Sequence, residues 1–308
     1  MSGKQNQPGE SISLYGNVSV IIPTHNRIDF LKEALESVIN QTLGVSEIIL
    51  INDGSDDPTS REIVSLSKLD HRIHYFENES NKGAAYSRNL GAKESNGDYL
   101  CFLDDDILCP DFLESAVSSL ESDQSIDAVF GDSVIHPASD NSYQGRVVEL
   151  LLNKSKSFYD DHGKVDVGYI MTFCPMINSL LLKKELFNEH RFDEDLRYGE
   201  DILLWLQMVS SGKRFKKLDS IASKVRIHKG AGEYSFEDHQ KFYNRVEEKG
   251  LLTSAKEKHL HLMRRTFSEL NFGRLPSIKR VVDLLYYPAD FLKYLWMNLL
   301  VRLSARLS

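Results

Sequence analysis

Two rhythms of apolar residues alternate along the first half of the chain. Val18-Ser-Val-Ile-Ile22, stopped by Pro23, is a short β-branched run that predicts a buried strand. Glu47-Ile-Ile-Leu-Ile51, ending in the turn-rich Asn52-Asp-Gly-Ser-Asp-Asp57, predicts a second. Between them Ile28, Leu31, Leu35, Val38 and Ile39 recur at helical spacing over residues 28–40. The pattern continues with helix to about Leu69, strand at Ile73–Phe76, helix at Gly83–Glu94 and strand at Asp98–Leu103. Helix at Asp111–Glu121 and strand at Ala128–Phe130 follow. Strands alternating with helices of about a dozen residues imply βαβ units, hence an α/β fold with a mostly parallel, Rossmann-like central sheet flanked by helices. In such sheets ligands collect beyond the carboxyl ends of the strands, so the polar clusters Thr24–Arg27, Asn52–Asp57 and Asp104–Asp106 converge on one rim.

The remainder divides less cleanly. Residues 1–16 are polar and read as a flexible N-terminus, and 17–230 as one domain. Residues 131–190 resist parsing and are taken to include an acceptor-side insertion. A strong helix is expected at Gly199–Ser211, then strand-like segments at 213–218 and 222–228 and a helical extension over 231–275. Residues 276–308 change character. Five basic residues face two acidic ones among dense apolar and aromatic side chains, with Leu292, Leu295, Trp296, Leu299 and Leu303 in one helical stripe. That composition suits a helix lying in an anionic membrane surface, or one packed on the preceding domain or a second copy.

Composition narrows the partners. The chain's 308 residues carry 37 Lys and Arg against 45 Asp and Glu, a net charge of −8 that argues against general nucleic-acid binding. The excess of acid lies before residue 276. Cys101, Cys109 and Cys174 form neither a disulfide framework nor a zinc pair, which points to a reducing cytoplasm. No run of about 18 uninterrupted apolar residues occurs, and the N-terminus lacks the apolar core of a signal peptide. The expected location is therefore cytoplasmic, peripheral on the inner face of the membrane through the tail.

Chemistry concentrates at a few positions. Asp104-Asp105-Asp106 closes an apolar strand, where side-chain alternation would put Asp104 and Asp106 on one side. Such crowding is relieved by water or by a Mg²⁺ or Mn²⁺ ion that completes its shell with substrate phosphates; a solvated turn is the other reading. Asp53, beside Gly54, suits a nucleoside contact or an Asx-turn. Thr24-His-Asn-Arg27 reads as part of a binding loop or as a cap for the next helix, with Asn26 or Thr24 as the cap. Arg88 follows the small residues Gly83, Ala84 and Ala85 at a helix start, where an anion is favoured. Glu200-Asp201 opens a helix, satisfying its dipole or supplying a base for an attacking hydroxyl. His228, after the last strand-like segment, is a candidate metal ligand or, as a lone histidine more often is, a structural residue.

Five segments in order carry a resemblance: Val18-Ser-Val-Ile-Ile-Pro-Thr-His-Asn-Arg27, Ile51-Asn-Asp-Gly-Ser-Asp56, Asn81-Lys-Gly-Ala-Ala-Tyr-Ser-Arg-Asn-Leu-Gly91, Asp98-Tyr-Leu-Cys-Phe-Leu-Asp-Asp-Asp106 and Gly199-Glu-Asp201. Together, over about residues 17–230, they resemble the family 2 glycosyltransferases, inverting enzymes of GT-A fold. The resemblance implies a nucleotide-sugar donor, a UDP-sugar first of all, bound by Pro23, Thr24, Asn26, Arg27, Asp53, Arg88, Asp104 and Asp105. It implies Mn²⁺ or Mg²⁺ on Asp106 and Asp104 with His228, Asp201 as catalytic base, and Glu200 positioning a glycan or lipid-linked acceptor. The Gln-x-x-Arg-Trp segment of processive synthases is missing after Asp201, so single-sugar transfer is expected; Trp205 would border the acceptor site or, at helical spacing with Ile202 and Val209, pack in the core. A sugar nucleotidyltransferase or a non-catalytic glycan-binding protein are the alternatives. The first would be expected to carry a glycine-rich basic loop where Pro23-Thr-His-Asn-Arg27 has no glycine.

Overall fold

The computed structural model describes residues 15–136, 164–226 and 234–265, apart from 255, 256, 259 and 263. The expectations for His228 and for the tail 276–308 fall outside these residues.

Strands β1 (Tyr15–Thr24), β2 (Gly44–Asn52), β3 (Ile73–Glu77), β4 (Tyr99–Phe102), β5 (Ile107–Leu108), β6 (Ala128–His136), β7 (Leu180–Lys183) and β8 (Phe215–Arg226) form one sheet. Their order is β3-β2-β1-β4-β7-β6-β8-β5. β3, β2, β1 and β4 are parallel, as are β6 and β8, while β7 and β5 run against their neighbours. β1 starts at Tyr15, within the stretch 1–16 expected to be a flexible terminus, because Tyr15 and Gly16 pair with Gly44 and Val45. Likewise, the two segments expected at 213–218 and 222–228 are one strand, β8. Its ladder with β6 shifts register near Asp132, and that irregularity reads in the sequence as a break.

The helices are α1 (Ile28–Ile39), α2 (Asp57–Leu66), α3 (Ala84–Glu94), α4 (Phe112–Ser122), α5 (Val167–Phe173), α6 (Lys184–Glu189), α7 (Glu200–Ser210) and α8 (Phe236–Glu248). α1 buries Leu31, Ala34, Leu35 and Val38, one face at 3.6-residue spacing. Side-chain alternation along β1 gives each sheet face its own core. Val18, Val20 and Ile22 pack with α1 and α4 residues, whereas Ile21 joins Phe102, Phe130, Tyr169 and Trp205 on the other face. Trp205 is fully buried and its indole N–H donates to the Pro175 carbonyl at 3.2 Å, so it belongs to the core rather than an acceptor border.

β1 leads to β2 and β3 on one side, and the chain then returns to place β4 on the other. The crevice between the carboxyl ends of β1 and β4 is thus a topological switch point, the usual ligand position in such sheets. α7 brings its N-terminus to the same rim. No helix among the described residues is long and apolar enough to cross a membrane.

Candidate active site

A cleft of about 950 Å³ opens at this rim. Pro23, Thr24, Arg27, Asp53, Arg88, Asp104, Asp105, Asp106, Glu200 and Asp201 all line it, so tertiary structure gathers residues spread over nearly 180 positions of sequence. Asn26 is not among the lining residues. Its φ of +53° and its side chain, which accepts from Asp56 N–H at 2.8 Å, tie the loop after β1 to the loop after β2. The helix-cap reading also fails: Arg27 occupies the N-cap of α1 and no side chain caps it.

The acidic run lies in the bend between β4 and β5 rather than within a strand, so simple alternation does not apply. Each carboxylate has its own partners. Asp104 takes both Nε and Nη2 of Arg88, Asp105 pairs with Arg27, and Asp106 accepts from the Arg226 N–H at 2.7 Å and from the Asn178 amide. Burial, with the charges of Asp104 and Asp105, pushes Asp106 up to about 6, against the two hydrogen bonds.

Arg88 is 4% exposed, and its remaining Nη1 donates to Glu200 at 2.8 Å. Burial opposes its charge, but Asp104 and Glu200 outweigh burial and raise its pKa. The expectation of a nucleotide contact from Arg88 meets a guanidinium already committed to two carboxylates. It joins the acidic run on one wall to α7 on the other.

Asp53 is similarly engaged. Its carboxylate accepts from Asn78 Nδ2 and Lys82 N–H, both at 2.8 Å, and from Gly83 N–H at 2.9 Å, holding the loop before α3 against the end of β2. Gly54 is required beside it, because at φ +66° a Cβ would meet Ser80 backbone at 2.4 Å. By contrast, Thr24 lines the cleft and its buried hydroxyl has no hydrogen-bond partner among the described residues.

Glu200 and Asp201 open α7 at Gly199, whose φ is +74° and whose Cβ would strike the Phe242 ring at 2.6 Å. Glycine therefore lets this helix end sit directly on α8. Burial, then the neighbouring Glu200, pushes Asp201 up to about 7, with Arg88 opposing.

Sequence reading missed four participants. Asn178, fully buried, accepts from Ser223 Oγ at 3.1 Å while holding Asp106. Arg226 donates Nε to the Asp105 carbonyl at 2.6 Å and Nη2 to the Phe30 carbonyl at 2.7 Å, clamping the acidic bend. Tyr198 and Tyr234 form an aromatic wall. None lies in a chemical motif, and an arginine at a strand end or an asparagine in a turn carries no local signal.

Among the described residues no group of three or more His, Cys, Asp or Glu side chains is set to hold a metal ion. Asp104 and Asp106 have the chemistry of a hard-cation site, one or two carboxylates with phosphate oxygens to complete the shell, although both oxygens of Asp104 accept from Arg88 here. Asp106, crowded by like charges, is the carboxylate such a cation would relieve.

The profile described as glycosyl transferase family 2 matches residues 19–184. An uncharacterized glycosyltransferase of Rickettsia bellii is 37% identical over 229 residues, covering 72% of this chain and 30% of that protein. A GalNAc(5)-diNAcBac-PP-undecaprenol beta-1,3-glucosyltransferase of Campylobacter jejuni is 31% identical over 194 residues, covering 62% and 59%. The chain spans about a third of the length of the Rickettsia relatives it matches. S. aureus TarS 1–349, crystallised with UDP, shares the fold at TM-score 0.60 and 20% identity, over 82% of this chain and 73% of that one. The Pyrobaculum calidifontis mannosyltransferase PcManGT, solved with GDP-Man and Mn²⁺, superposes at TM-score 0.56 and 16% identity, over 94% and 86%.

Proposed function

The chain belongs to glycosyl transferase family 2, and from that premise we propose that it moves one sugar from a nucleotide-sugar donor to an acceptor hydroxyl with inversion, assisted by Mn²⁺ or Mg²⁺. A UDP-sugar is the first donor to test. The acceptor is a glycan or lipid-linked oligosaccharide, in keeping with the named activity of the C. jejuni relative.

One observation carries this reading. A single cleft holds a three-carboxylate bend on one wall and the separate pair Glu200–Asp201 on the other, bridged by Arg88. Asp201 takes the proton from the attacking hydroxyl. Its raised pKa suits it, since a general base works best when its pKa lies near the operating pH. Glu200, oriented by Arg88, holds the acceptor beside it. Attack from the side opposite the departing diphosphate inverts the anomeric carbon in one displacement. Thr24, its hydroxyl unpartnered among the described residues, lines the cleft where the donor would lie, and Arg27 lines it paired with Asp105. A divalent cation held by Asp106 and Asp104 would supply positive charge against the leaving diphosphate.

Asp201→Asn tests the assignment. Transfer is expected to fall at least about a thousandfold with donor affinity little changed, read by sugar incorporation and by calorimetric titration with donor. Retained turnover refutes it.

A further inference from the structure

The cleft is not acidic throughout. Of the five large apolar side chains most exposed among the described residues, two, Met176 at 44% and Tyr234 at 40%, line it. Apolar surface left in water beside carboxylates is where a ligand with an apolar face gains most on binding. Tyr198, also lining the cleft, stacks on His239 with ring centroids 3.8 Å apart and meets Phe242 edge-on at 5.5 Å. Tyr234 lies 5.2 Å from Tyr198.

We propose that Tyr198 and Tyr234 form an acceptor subsite in this cleft that takes the C–H face of a pyranoside and presents its hydroxyl to Asp201. The proposal rests on the glycosyl-transfer reading above. A pyranose is polar around its rim and apolar on its faces, so it calls for a flat ring against the face and carboxylates at the edge. The negative face of a tyrosine ring attracts the slightly positive axial C–H groups. Both components are present. Tyr198 precedes Glu200 by two residues, and the phenol of Tyr234 feels the charges of Glu200 and Asp201. Phe242, against which Tyr198 packs, is the same ring that seats Gly199 at the start of α7. Shelf and base therefore share one joint, which fixes their separation before any sugar arrives. Tyr198 and Tyr234 lie in the segments that lead into α7 and α8, whereas the donor residues Thr24 and Asp53 come from the ends of β1 and β2.

The test uses the full chain with Tyr234→Ala, Tyr234→Phe and Tyr234→Trp. Tyr234 is exposed enough that none should perturb folding. Saturation-transfer NMR with methyl β-D-glucopyranoside and methyl β-D-galactopyranoside reads the subsite without catalysis, and calorimetry with UDP or GDP plus Mn²⁺ reads the donor side. Saturation transfer to ring C–H protons is expected in the unaltered chain, Tyr234→Phe and Tyr234→Trp, and is lost in Tyr234→Ala. Acceptor kcat/KM in Tyr234→Ala falls about tenfold and nucleotide affinity stays within about twofold. Undiminished saturation transfer in Tyr234→Ala overturns the shelf alone. So does an equal loss of nucleotide affinity, which would assign the ring to the donor. Failure of the unaltered chain to bind either nucleotide overturns the glycosyl-transfer reading, and the shelf with it.

Discussion

Arg88 keeps its charge in the interior because Asp104 and Glu200 hold it from two walls of the cleft, and burying it unpaired would be prohibitive. Its field reaches Asp201, which it holds below the value that burial and Glu200 would otherwise impose. The rate should therefore rise with pH through about 7, as Asp201 loses its proton and becomes competent. Removing the guanidinium with Arg88→Met should move that limb of the kcat/KM profile to higher pH, besides lowering the rate. A limb that stays in place would disconnect Arg88 from the base. Arg88 stands out in the sequence as a motif residue. Its pairing with Asp104 and Glu200 does not, because they lie 16 and 112 positions away and only folding sets their distance.

Elements meet at a few joints that can be tested singly. At the end of the sheet away from the cleft, buried Glu47 accepts from Ser19 Oγ at 2.6 Å, Gly97 N–H at 3.3 Å and the Asn96 backbone, tying β1, β2 and the turn before β4. Burial alone would raise its pKa, but these donors win and lower it from 4.5. A lowered folded value means that Glu47 stabilises the fold above about pH 4.5 and that this contribution fades as pH falls through the folded pKa. Glu47→Ala should cost about 1–3 kcal/mol at neutral pH and flatten the loss of stability in acid, measurable by urea unfolding at pH 7 and pH 4. Gly199→Ala combines a φ of +74° with a ring 2.6 Å from the new Cβ. It should destabilise by about 1–3 kcal/mol and depress transfer more than donor binding, because the carboxylates of α7 move while β1 and β2 do not. Calorimetric melting and donor titration separate the two effects. The helices and parallel strands of the first half are legible in local pattern. β5, β7 and the continuity of β8 are not, since two-to-four-residue strands and a bulged ladder owe their existence to distant partners.

For the whole molecule, a net charge of −8 and an acidic cleft rim make a bare diphosphate an unwelcome guest. UDP or GDP should raise the melting temperature appreciably only with Mn²⁺ or Mg²⁺, and EDTA should abolish the shift; a full shift in EDTA would remove the case for a cation. Sequence by itself determined the α/β alternation, the rim on which the polar clusters meet, and the family, because short-range periodicity and ordered motifs are local properties of the chain. It also selected ten of the residues that line the cleft. Only the tertiary structure decided what each does there: that Asp53 holds a loop, that Asn26 ties two loops together, that Arg88 bridges two walls, and that Asn178, Arg226, Tyr198 and Tyr234 line the same cleft. Side-chain roles depend on which donors, charges and rings lie within a few ångströms, and those distances arise from packing between segments that the sequence keeps far apart.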